Sequence, residues 1–426
     1  MKKKIPGWLF LTLMLLFSSS DLFGAGGAVH KVLGIDVLFI LFVAILIGIS
    51  IFHRKAVYIS LTGFIVILLY KIFTDNGFHP GEHFLGSTAF ISQVLHPSMR
   101  QGEWPILLNL FGLLTGFAVL ARLFEDSGIP DKIPGILPAD WKGPFFLLLI
   151  IFVLSSFLDN IAAALIGGTI AYRIFRGKVS IGYIAGIVAA SNAGGAFSVV
   201  GDTTTTMMWI SGVEPGRLIH AFVASAVAFL VFAFFAARQQ NNFQGIIHAE
   251  NAEVKIDFLR FGWVFVILVS AILANMFFEF PAAGVWLAIV AGAALMKIPW
   301  KEAAGSLKST VFLLALVSSA SLMPLEELPP ASWTSVLSLG FVSAFFDNIP
   351  LTAISIAQGG YDWGMLAYAV GFGGSMVWFG SSAGVAITGK FHEARNMIQW
   401  IRNGWFVILA YLAGFFAYHF IIGWHP

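Results

Sequence analysis

Cysteine is absent from this chain of 426 residues, and charged residues make up only 11% of it. The absence of cysteine excludes disulfides, zinc–thiolate sites and cysteine nucleophiles. The scarcity of charge, together with a hydrophobic fraction of 58%, excludes an ordinary soluble domain, in which about a quarter of the residues are charged. No basic cluster exceeds the three lysines that follow Met1, so nothing in the sequence favours nucleic-acid binding. This composition predicts a polytopic membrane protein embedded in a lipid bilayer.

The N-terminus has the pattern of a secretory signal. Lysines at 2–4 precede an apolar run at 8–17, and small residues follow at 24–28. We predict that residues 1–28 form a cleaved signal peptide; the alternative is an additional short helix. In both cases the three lysines stay in the cytoplasm and Lys31 lies outside.

Apolar stretches long enough to cross a bilayer, which takes about 20 residues, occur along the whole chain. They are 35–52, 56–72, 104–121, 181–212, 217–237, 258–278, 282–297, 309–325, 363–388 and 404–423. Threaded alternately through the membrane, they leave most of the 24 Lys and Arg residues in loops on one side. The exceptions are Lys31, Lys71, Arg100 and Arg217. Because basic residues collect on the cytoplasmic side, this asymmetry orients the chain in a bacterial inner membrane.

Two further apolar segments preserve this asymmetry only if each enters the membrane and returns. The segment 144–173 has basic residues at both ends, whereas the segment 331–358 has acidic residues and no basic residue at its ends. A full crossing by either segment would reverse the side of every later loop. We therefore predict two re-entrant hairpins that enter from opposite sides.

The predicted elements of the second half of the chain repeat those of the first half. Residues 29–237 give three spans, a hairpin, a long segment and a span, and residues 258–426 give the same series from the opposite side. The polar stretch 238–257 links the two halves in the cytoplasm. The sequence thus predicts an all-α polytopic membrane protein with an inverted-topology repeat, whose hairpin tips meet near the membrane midplane.

The two hairpins carry nearly the same heptapeptide at their midpoints, residues 155–161 (SSFLDNI) and 343–349 (SAFFDNI). Each contains an Asp-Asn pair, at 159–160 and 347–348. Ionisable groups at this depth of a membrane are costly and usually mark a functional site. The simpler alternative is that each Asp caps the second helix of its hairpin.

Another pair of segments indicates breaks in two long helices. Residues 194–203 (GGAFSVVGDT) align without gaps on residues 373–382 (GGSMVWFGSS), so that three glycines coincide and hydroxyl side chains follow in both. Unwound backbone is tolerated inside a membrane where it is buried in protein or lines a cavity. We predict broken helices over 181–212 and 363–388.

Carboxylates, amides and hydroxyls in the hairpins and breaks form an all-oxygen set, which hard cations such as Na⁺ prefer. Asp159 and Asp202 supply negative charge in the first half, whereas Asp347 stands alone in the second half because Ser381 occupies the position of Asp202. A carboxyl group withdrawn from water binds a proton more readily, and a second carboxylate in the same site increases this tendency. Competition between Na⁺ and H⁺ for one aspartate is sufficient for antiport with alternating access.

Motifs at 159–160, 192–198, 201–207 and 343–348 resemble those of the NhaD-type sodium/proton antiporters. That family belongs to the ion transporter superfamily, with its citrate-transporter-like domain. The resemblance covers about 35–423 and is most specific in the Gly-Asp-Thr-Thr-Thr-Thr-Met run. It implies a transporter rather than an enzyme, with Na⁺, or Li⁺, exchanged for H⁺, no cofactor, and assembly as a homodimer.

The resemblance also implicates particular residues in cation binding, and the chemistry above adds Asp347. The set is Asp159, Asn160, Asn192, Asp202, Thr204, Thr205, Ser343, Asp347, Asn348, Ser381 and Ser382. One departure from the family pattern is Val199-Val200, where a Pro-Ile pair is expected; this changes the shape of the break but removes no ligand.

Three other functions fit parts of the sequence. A Na⁺-coupled carrier of organic acids or oxyanions would use the same fold, but no Lys or Arg lies between 144 and 170 or between 181 and 213, and Asp202 would repel an anion. An intramembrane aspartyl protease would use two buried aspartates but leaves the third, Asp347, and the repeat unexplained. A passive channel would conduct without coupling to protons.

Overall fold

The protein is described here by a computed structural model, which covers residues 31–426 apart from 33, 53–54, 248–254 and 326–327. The predicted signal peptide or short helix at 1–28 lies outside the described residues. Between its turns and loops, the described chain forms helices, together with one antiparallel pair of two-residue strands, β1 (Lys31–Val32) and β2 (Ile35–Asp36). The predicted all-α class is confirmed.

The first half begins and ends with long helices and contains several short ones. Its α-helices are α1 (Val37–Ile51), α2 (Ala56–Thr74), α3 (Pro80–Leu85), α4 (Phe90–Leu95), α5 (Trp104–Asp126), α6 (Ile129–Ile136), α7 (Lys142–Ser155), α8 (Asn160–Ile174), α9 (Ile181–Gly195), α10 (Thr203–Ile210), α11 (Pro215–Ile219) and α12 (Ala221–Phe243), with a 3₁₀ turn at Pro97–Met99.

The second half follows a similar order. Its α-helices are α13 (Phe258–Phe278), α14 (Pro281–Gly292), α15 (Trp300–Ala320), α16 (Trp333–Ser343), α17 (Asn348–Gln358), α18 (Trp363–Gly373), α19 (Ser382–Thr388), α20 (Met397–Asn403) and α21 (Trp405–Ile421), with 3₁₀ turns at Gly374–Met376 and His392–Arg395.

Several helices have the length and apolar composition of membrane spans. Within the described ranges, five such helices are Ala56–Thr74, Trp104–Asp126, Pro215–Phe243 (α11 and α12 taken together), Phe258–Phe278 and Trp300–Ala320. The pair α20 and α21, bent by 63°, makes a sixth if it is counted as one span. The predicted spans 35–52 and 282–297 correspond to α1 and α14, which are shorter than a full crossing of about 20 residues. The helices identify a multi-pass membrane protein.

One predicted span, 309–325, is wrong in its position. The helix there, α15, begins at Trp300 and ends at Ala320. Glu302 lies in its first turn, where a negative charge favours the positive end of the helix dipole. The polar residues of the first turns lower the local hydropathy, which is why the apolar run starts later than the helix.

The predicted linker 238–257 also begins too early, because α12 continues through its first residues to Phe243. Gln240, near the end of that helix, is fully buried. Its side-chain oxygen accepts a hydrogen bond from Ser180 N (2.8 Å), and its side-chain nitrogen donates to Lys178 O (3.0 Å). The polar composition that indicated a linker therefore includes side chains that fasten the end of α12 to the loop before α9.

The helices pack in two groups. One group contains α1, α2, α5, α13, α14 and α15, and the other contains α7, α8, α9, α12, α16, α18, α19 and α21. Two further helices lie between the groups: α17 contacts α15 and α18, and α10 contacts α5 and α18. The two groups thus meet at the helices that carry the Asp-Asn and Gly-Asp motifs.

Candidate functional site

Each half contains a hairpin and a helix with a break. The first hairpin comprises α7, the turn 156–159 and α8, and the second hairpin comprises α16, the turn 344–347 and α17; the two helices of each hairpin contact each other. The first break, residues 196–202, separates α9 from α10. The second break, residues 377–381, lies between the 3₁₀ turn that follows α18 and the start of α19.

A serine at the end of the first helix of each hairpin fastens that hairpin to the broken helix. Ser155 Oγ donates to Ser191 O (2.5 Å), and Ser343 Oγ donates to Val370 O (2.7 Å). Ser191 and Val370 occupy equivalent positions when the two broken helices are aligned. The same contact thus occurs in both halves, and it gives Ser343 a structural role.

Glycines allow the hairpins to approach the broken helices closely. A Cβ atom at Gly194 would overlap with the carbonyl oxygen of Phe152, and one at Gly373 would overlap with the carbonyl oxygen of Gly340. Both neighbours are backbone atoms, so no side-chain movement relieves either overlap. These two glycines hold each helix end against its hairpin.

The Asp of each hairpin caps the second helix of that hairpin. Asp159 (φ −52°, ψ 141°) accepts a hydrogen bond from Ile161 N at 3.3 Å. Asp347 (φ −54°, ψ 140°) accepts one from Ile349 N at 3.1 Å. Both aspartates therefore act as helix caps, a role that is compatible with cation binding, and their backbones match within a few degrees.

The residues that end the two breaks are also helix caps. Asp202 (φ −141°, ψ 144°) accepts a hydrogen bond from Thr204 N at 3.3 Å. Ser381 (φ −138°, ψ 153°) accepts one from Gly384 N at 3.2 Å. The two halves thus share a backbone conformation at this position and differ in charge.

Three side chains form a hydrogen-bonded series, which we call the amide relay. Asn160 Nδ2 donates to Asn192 Oδ1 (3.1 Å), and Asn192 Nδ2 donates to Ser375 Oγ (2.9 Å). All three residues are buried. The relay begins at the tip of the first hairpin and ends in the second half, so it joins the two halves.

Another side-chain contact crosses between the halves. Asn348 Nδ2, at the tip of the second hairpin, donates to Asp202 Oδ2 at 3.4 Å. Only 2% of the surface of each of these two residues is exposed. Asp347, by contrast, pairs within its own half, since Ser382 Oγ donates to Asp347 Oδ2 at 2.9 Å.

Two of the threonines after Asp202 donate hydrogen bonds to the unwound backbone. Thr205 Oγ1 donates to Ser198 O (2.6 Å) and Thr206 Oγ1 donates to Val199 O (2.9 Å). These bonds satisfy carbonyl groups that have no helical partner. Thr204 Oγ1 is buried and has no hydrogen-bond partner among the described residues.

One cavity of about 300 Å³ lies between the two groups of helices. Its walls come from α5 and α15 on one side and from the hairpin tips and the first break on the other. Of the predicted cation ligands, it is lined by Asp159, Asn160, Asp202, Asn348 and Ser382. Carboxylates, amides and a hydroxyl therefore converge on one cavity.

The remaining predicted ligands lie behind this surface. They are Asn192, Thr204, Thr205, Ser343, Asp347 and Ser381, none of which lines the cavity. Asn192 acts through the amide relay and Asp347 contacts the cavity-lining Ser382. The hydrogen bonds of Asn192 and Asp347 thus orient Asn160 and Ser382, which face the cavity.

Sequence reasoning missed the polar residues that α15 brings to the cavity. Ser306, Ser309 and Thr310 line it, at spacings of three and four residues that place them on one face of a helix. Each hydroxyl donates back to a carbonyl of its own helix. Their spacing was a usable signal, but Ser306 lay upstream of the predicted span, which began only at Ser309.

Charged side chains line the cavity farther from the aspartates. Arg122, Glu125 and Glu302 belong to its wall. Arg122 forms ion pairs with Glu125 (3.1 Å) and with Asp126 (3.0 Å). In the part of the chain that the structure describes, no cluster of three or more His, Cys, Asp or Glu side chains has the arrangement of a metal site.

Known sodium/proton antiporters match the chain, although no protein-family model does. It is 25% identical over 315 residues to sodium/proton antiporter 1 of Arabidopsis thaliana, covering 63% of this chain and 53% of that protein. It is 25% identical over 324 residues to the Na⁺/H⁺ antiporter NhaD of Vibrio cholerae, covering 61% of this chain and 66% of that protein. The chain is thus similar to NhaD-type antiporters.

A third relative, sodium/proton antiporter 2 of Arabidopsis thaliana, is 25% identical over 337 residues, which are 65% of this chain and 77% of that protein. The chain spans between about half and two thirds of the length of the first two relatives. These matches confirm the resemblance that the motifs predicted.

Proposed function

We propose that the protein is a secondary active transporter that exchanges Na⁺, or Li⁺, for H⁺ across the bacterial inner membrane. Asp202 and Asp159 bind the cation or the proton in competition, and alternating access carries the site from one face to the other. The names of the relatives, which are sodium/proton antiporters, support the choice of ions. The reaction requires no cofactor and no covalent step, and a homodimer is the assembly we expect.

The observation that carries this proposal is the position of Asp202. It is 2% exposed, it ends an unwound segment, and it shares a cavity with Asp159. A carboxylate removed from water requires neutralisation by a proton, a cation or a fixed positive group. Among the cavity-lining side chains that bear nitrogen donors, Arg122 is paired with Glu125 and Asp126 and the others are amides, so a mobile cation or a proton supplies the charge that neutralises Asp202.

The neighbouring groups suit a cation with an oxygen shell. Asn160, Asn348 and Ser382 line the same cavity and carry neutral oxygens. The amide nitrogens of Asn160 and Asn348 donate to Asn192 and Asp202, which leaves the amide oxygens available to a cation. Hard monovalent cations favour such ligands over nitrogen or sulfur, by extension of the rules for Ca²⁺ and Mg²⁺.

An anionic cargo is disfavoured by the same geometry. Helix N-termini attract anions when their N–H groups are free, but those of α8, α10, α17 and α19 are capped by their own Asp or Ser side chains. The cavity-lining arginine, Arg122, is paired with Glu125 and Asp126. A citrate-like or arsenite-like carrier would need an unpaired positive group near its substrate.

The orientation of the cavity fits entry from the cytoplasm. Its charged residues, Arg122, Glu125 and Glu302, belong to segments that the distribution of basic residues assigns to the cytoplasmic side. Cytoplasmic Na⁺ would enter past these residues, follow the hydroxyl-bearing face of α15 and reach Asp202. An outward-facing state is expected to expose the same aspartates on the opposite side.

The test is Na⁺-dependent proton movement in everted membrane vesicles loaded with a pH-sensitive dye. Addition of Na⁺ to vesicles with the wild-type protein is expected to dissipate the proton gradient, whereas an Asp202→Asn variant is expected to lose this response. Asp140→Asn is the matched control, because Asp140 is exposed and its carboxylate accepts a hydrogen bond from Lys142 N at the start of α7. Full exchange by Asp202→Asn, or uptake of citrate without proton exchange by the wild type, would overturn the proposal.

A further inference from the structure

The two halves also differ at a position in the broken helices that lies behind the cavity wall. When the broken helices are aligned, Asn192 of the first half is equivalent to Gly371 of the second half. The hydrogen bonds of Ser155 and Ser343 to the residues just before these positions support that equivalence. The first half therefore has an amide where the second half has no side chain.

The space beside Gly371 is occupied by a carboxylate from the other half. A Cβ atom built on Gly371 would lie 3.2 Å from Asp202 Oδ2 and 3.7 Å from Ala196 Cβ. The first distance is tighter than an ordinary contact between carbon and oxygen. A side chain as large as that of Asn192 requires the Asp202 carboxylate to move.

The displaced oxygen is the one that contacts the second hairpin. Asn348 Nδ2 donates to Asp202 Oδ2 at 3.4 Å, which is already long for a hydrogen bond. Because Gly371 and Asn348 approach the same oxygen, a shift of that oxygen to clear a side chain at residue 371 disturbs this weak hydrogen bond. Contact between the first break and the second hairpin thus depends on the glycine.

We propose that Gly371 is a positioning residue for cation binding, because its missing side chain lets the Asp202 carboxylate reach the tip of the second hairpin. Both hairpin tips then serve one cation site: the first shares the cavity with Asp202, and the second donates to it through Asn348. Ser381 occupies the position of Asp202 in the second half. A charge is not required there, because the Asp202 carboxylate lies at both hairpin tips. This proposal deepens the proposed function and rests on it.

The experiment compares four purified variants in proteoliposomes, with Na⁺-dependent proton flux as the first readout. They are Gly371→Ala, Asn348→Leu, the double variant, and Gly262→Ala as a control. Gly262 lies in α13, and a Cβ atom there meets no atom within 4 Å. The second readout is the rise in melting temperature caused by Na⁺, which measures binding without transport.

Gly371→Ala is expected to raise the KM for Na⁺ about tenfold, the effect of losing one hydrogen bond to a charged group. Asn348→Leu is expected to raise the KM at least as much, because it removes the same hydrogen bond together with an amide oxygen that faces the cavity. The kcat is expected to change much less, because the site weakens but the protein still alternates. The double variant is expected to resemble Asn348→Leu, since Gly371→Ala acts only on the contact that Asn348→Leu already removes. Gly262→Ala is expected to match the wild type.

A KM for Gly371→Ala equal to that of Gly262→Ala would overturn the proposal. It would also be overturned if the increase in the KM of the double variant equalled the product of the increases in the two single variants. If Gly371→Ala does not fold, Asn348→Leu with an unchanged KM has the same consequence, because it removes the contact and leaves Gly371 intact. Failure of the proposed function looks different: the wild type itself would show no Na⁺-dependent flux. Na⁺-induced stabilisation of the wild type, reduced in both single variants, would then still support the shared site, and its absence would overturn both proposals.

Discussion

Removal of one hydroxyl group, that of Ser375, is expected to weaken cation binding from a distance. Ser375 is fully buried and does not line the cavity. It accepts the hydrogen bond of Asn192 Nδ2 at 2.9 Å, and Asn192 in turn accepts from Asn160 at 3.1 Å. Because Asn160 does line the cavity, the Ser375→Ala change acts on the site only through the amide relay.

The size of the effect follows from the number of groups left unpaired. In Ser375→Ala the buried Asn192 amide nitrogen loses its acceptor, which costs about 1–3 kcal/mol. If Asn192 rotates to recover a partner, Asn160 loses its own acceptor and turns away from the cavity. A loss of about 1.4 kcal/mol from the cation-bound state raises the KM for Na⁺ about tenfold.

The assay is Na⁺-dependent proton flux in proteoliposomes, combined with thermal unfolding of the purified protein. Ser225→Ala is the matched control, since Ser225 is equally buried but its hydroxyl has no hydrogen-bond partner within the described ranges. The control is expected to leave the KM unchanged and to be neutral or slightly stabilising. Ser375→Thr restores the hydroxyl and is expected to recover part of the lost affinity.

A KM for Ser375→Ala equal to that of Ser225→Ala would refute the reasoning about the relay. A lower melting temperature with an unchanged KM would show that Ser375 stabilises the fold without orienting Asn160. The two readouts therefore separate a positioning role from a purely structural one.

Two further predictions concern titratable groups. Asp347→Asn is expected to reduce exchange less than Asp202→Asn, because Asp347 lies behind Ser382 and an amide oxygen still accepts the 2.9 Å hydrogen bond; complete loss of vesicle exchange would contradict this ranking. Burial, and to a smaller extent the charge of Lys71, lowers the pKa of His83 below 6.5. Since the unfolded chain then binds more protons, stability is expected to fall as the pH drops below about 6.5, and thermal unfolding of His83→Gln is expected to depend less on pH in that range.

The helix breaks were predictable because polar residues and glycines interrupt long apolar runs. The turns 156–159 and 344–347 lie at the Asp-Asn pairs, and the breaks at 196–202 and 377–381 lie between the aligned glycines. Each signal is local, since an ionisable group or a glycine within about 20 apolar residues needs a structural reason. The inverted orientation of the halves stays a prediction from the distribution of charge.

The start of α15 was not predictable from hydropathy alone. Its first turns carry Lys301, Glu302, Ser306 and Ser309, which lower the average over any membrane-length window. These residues remain helical because α15 packs against α2 and α5, and tertiary contacts of that kind outweigh local composition. The same displacement explains why the serines of the cavity wall were missed.

Contacts between the halves were also beyond the reach of the sequence. Alignment of the repeats shows which positions are equivalent, but it does not show which residues of one half touch the other. The pairing of Asn348 with Asp202 and of Asn192 with Ser375 depends on how the two breaks face each other. These pairings are properties of the assembled fold.

The loss of symmetry at Ser381 has an energetic reason. A second aspartate at this position would bring the carboxylates of the hairpins and breaks from three to four, and each one that is withdrawn from water costs several kcal/mol unless it is neutralised. When Asp202 is the one carboxylate at the contact between the halves, a single cation or proton is sufficient to neutralise its charge. A repeat that binds one ion at its centre therefore favours aspartate in one copy and serine in the other. Ser381→Asp is accordingly expected to bind cations more tightly but to release them too slowly for rapid exchange, with a lower KM and a lower kcat for Na⁺-dependent proton flux.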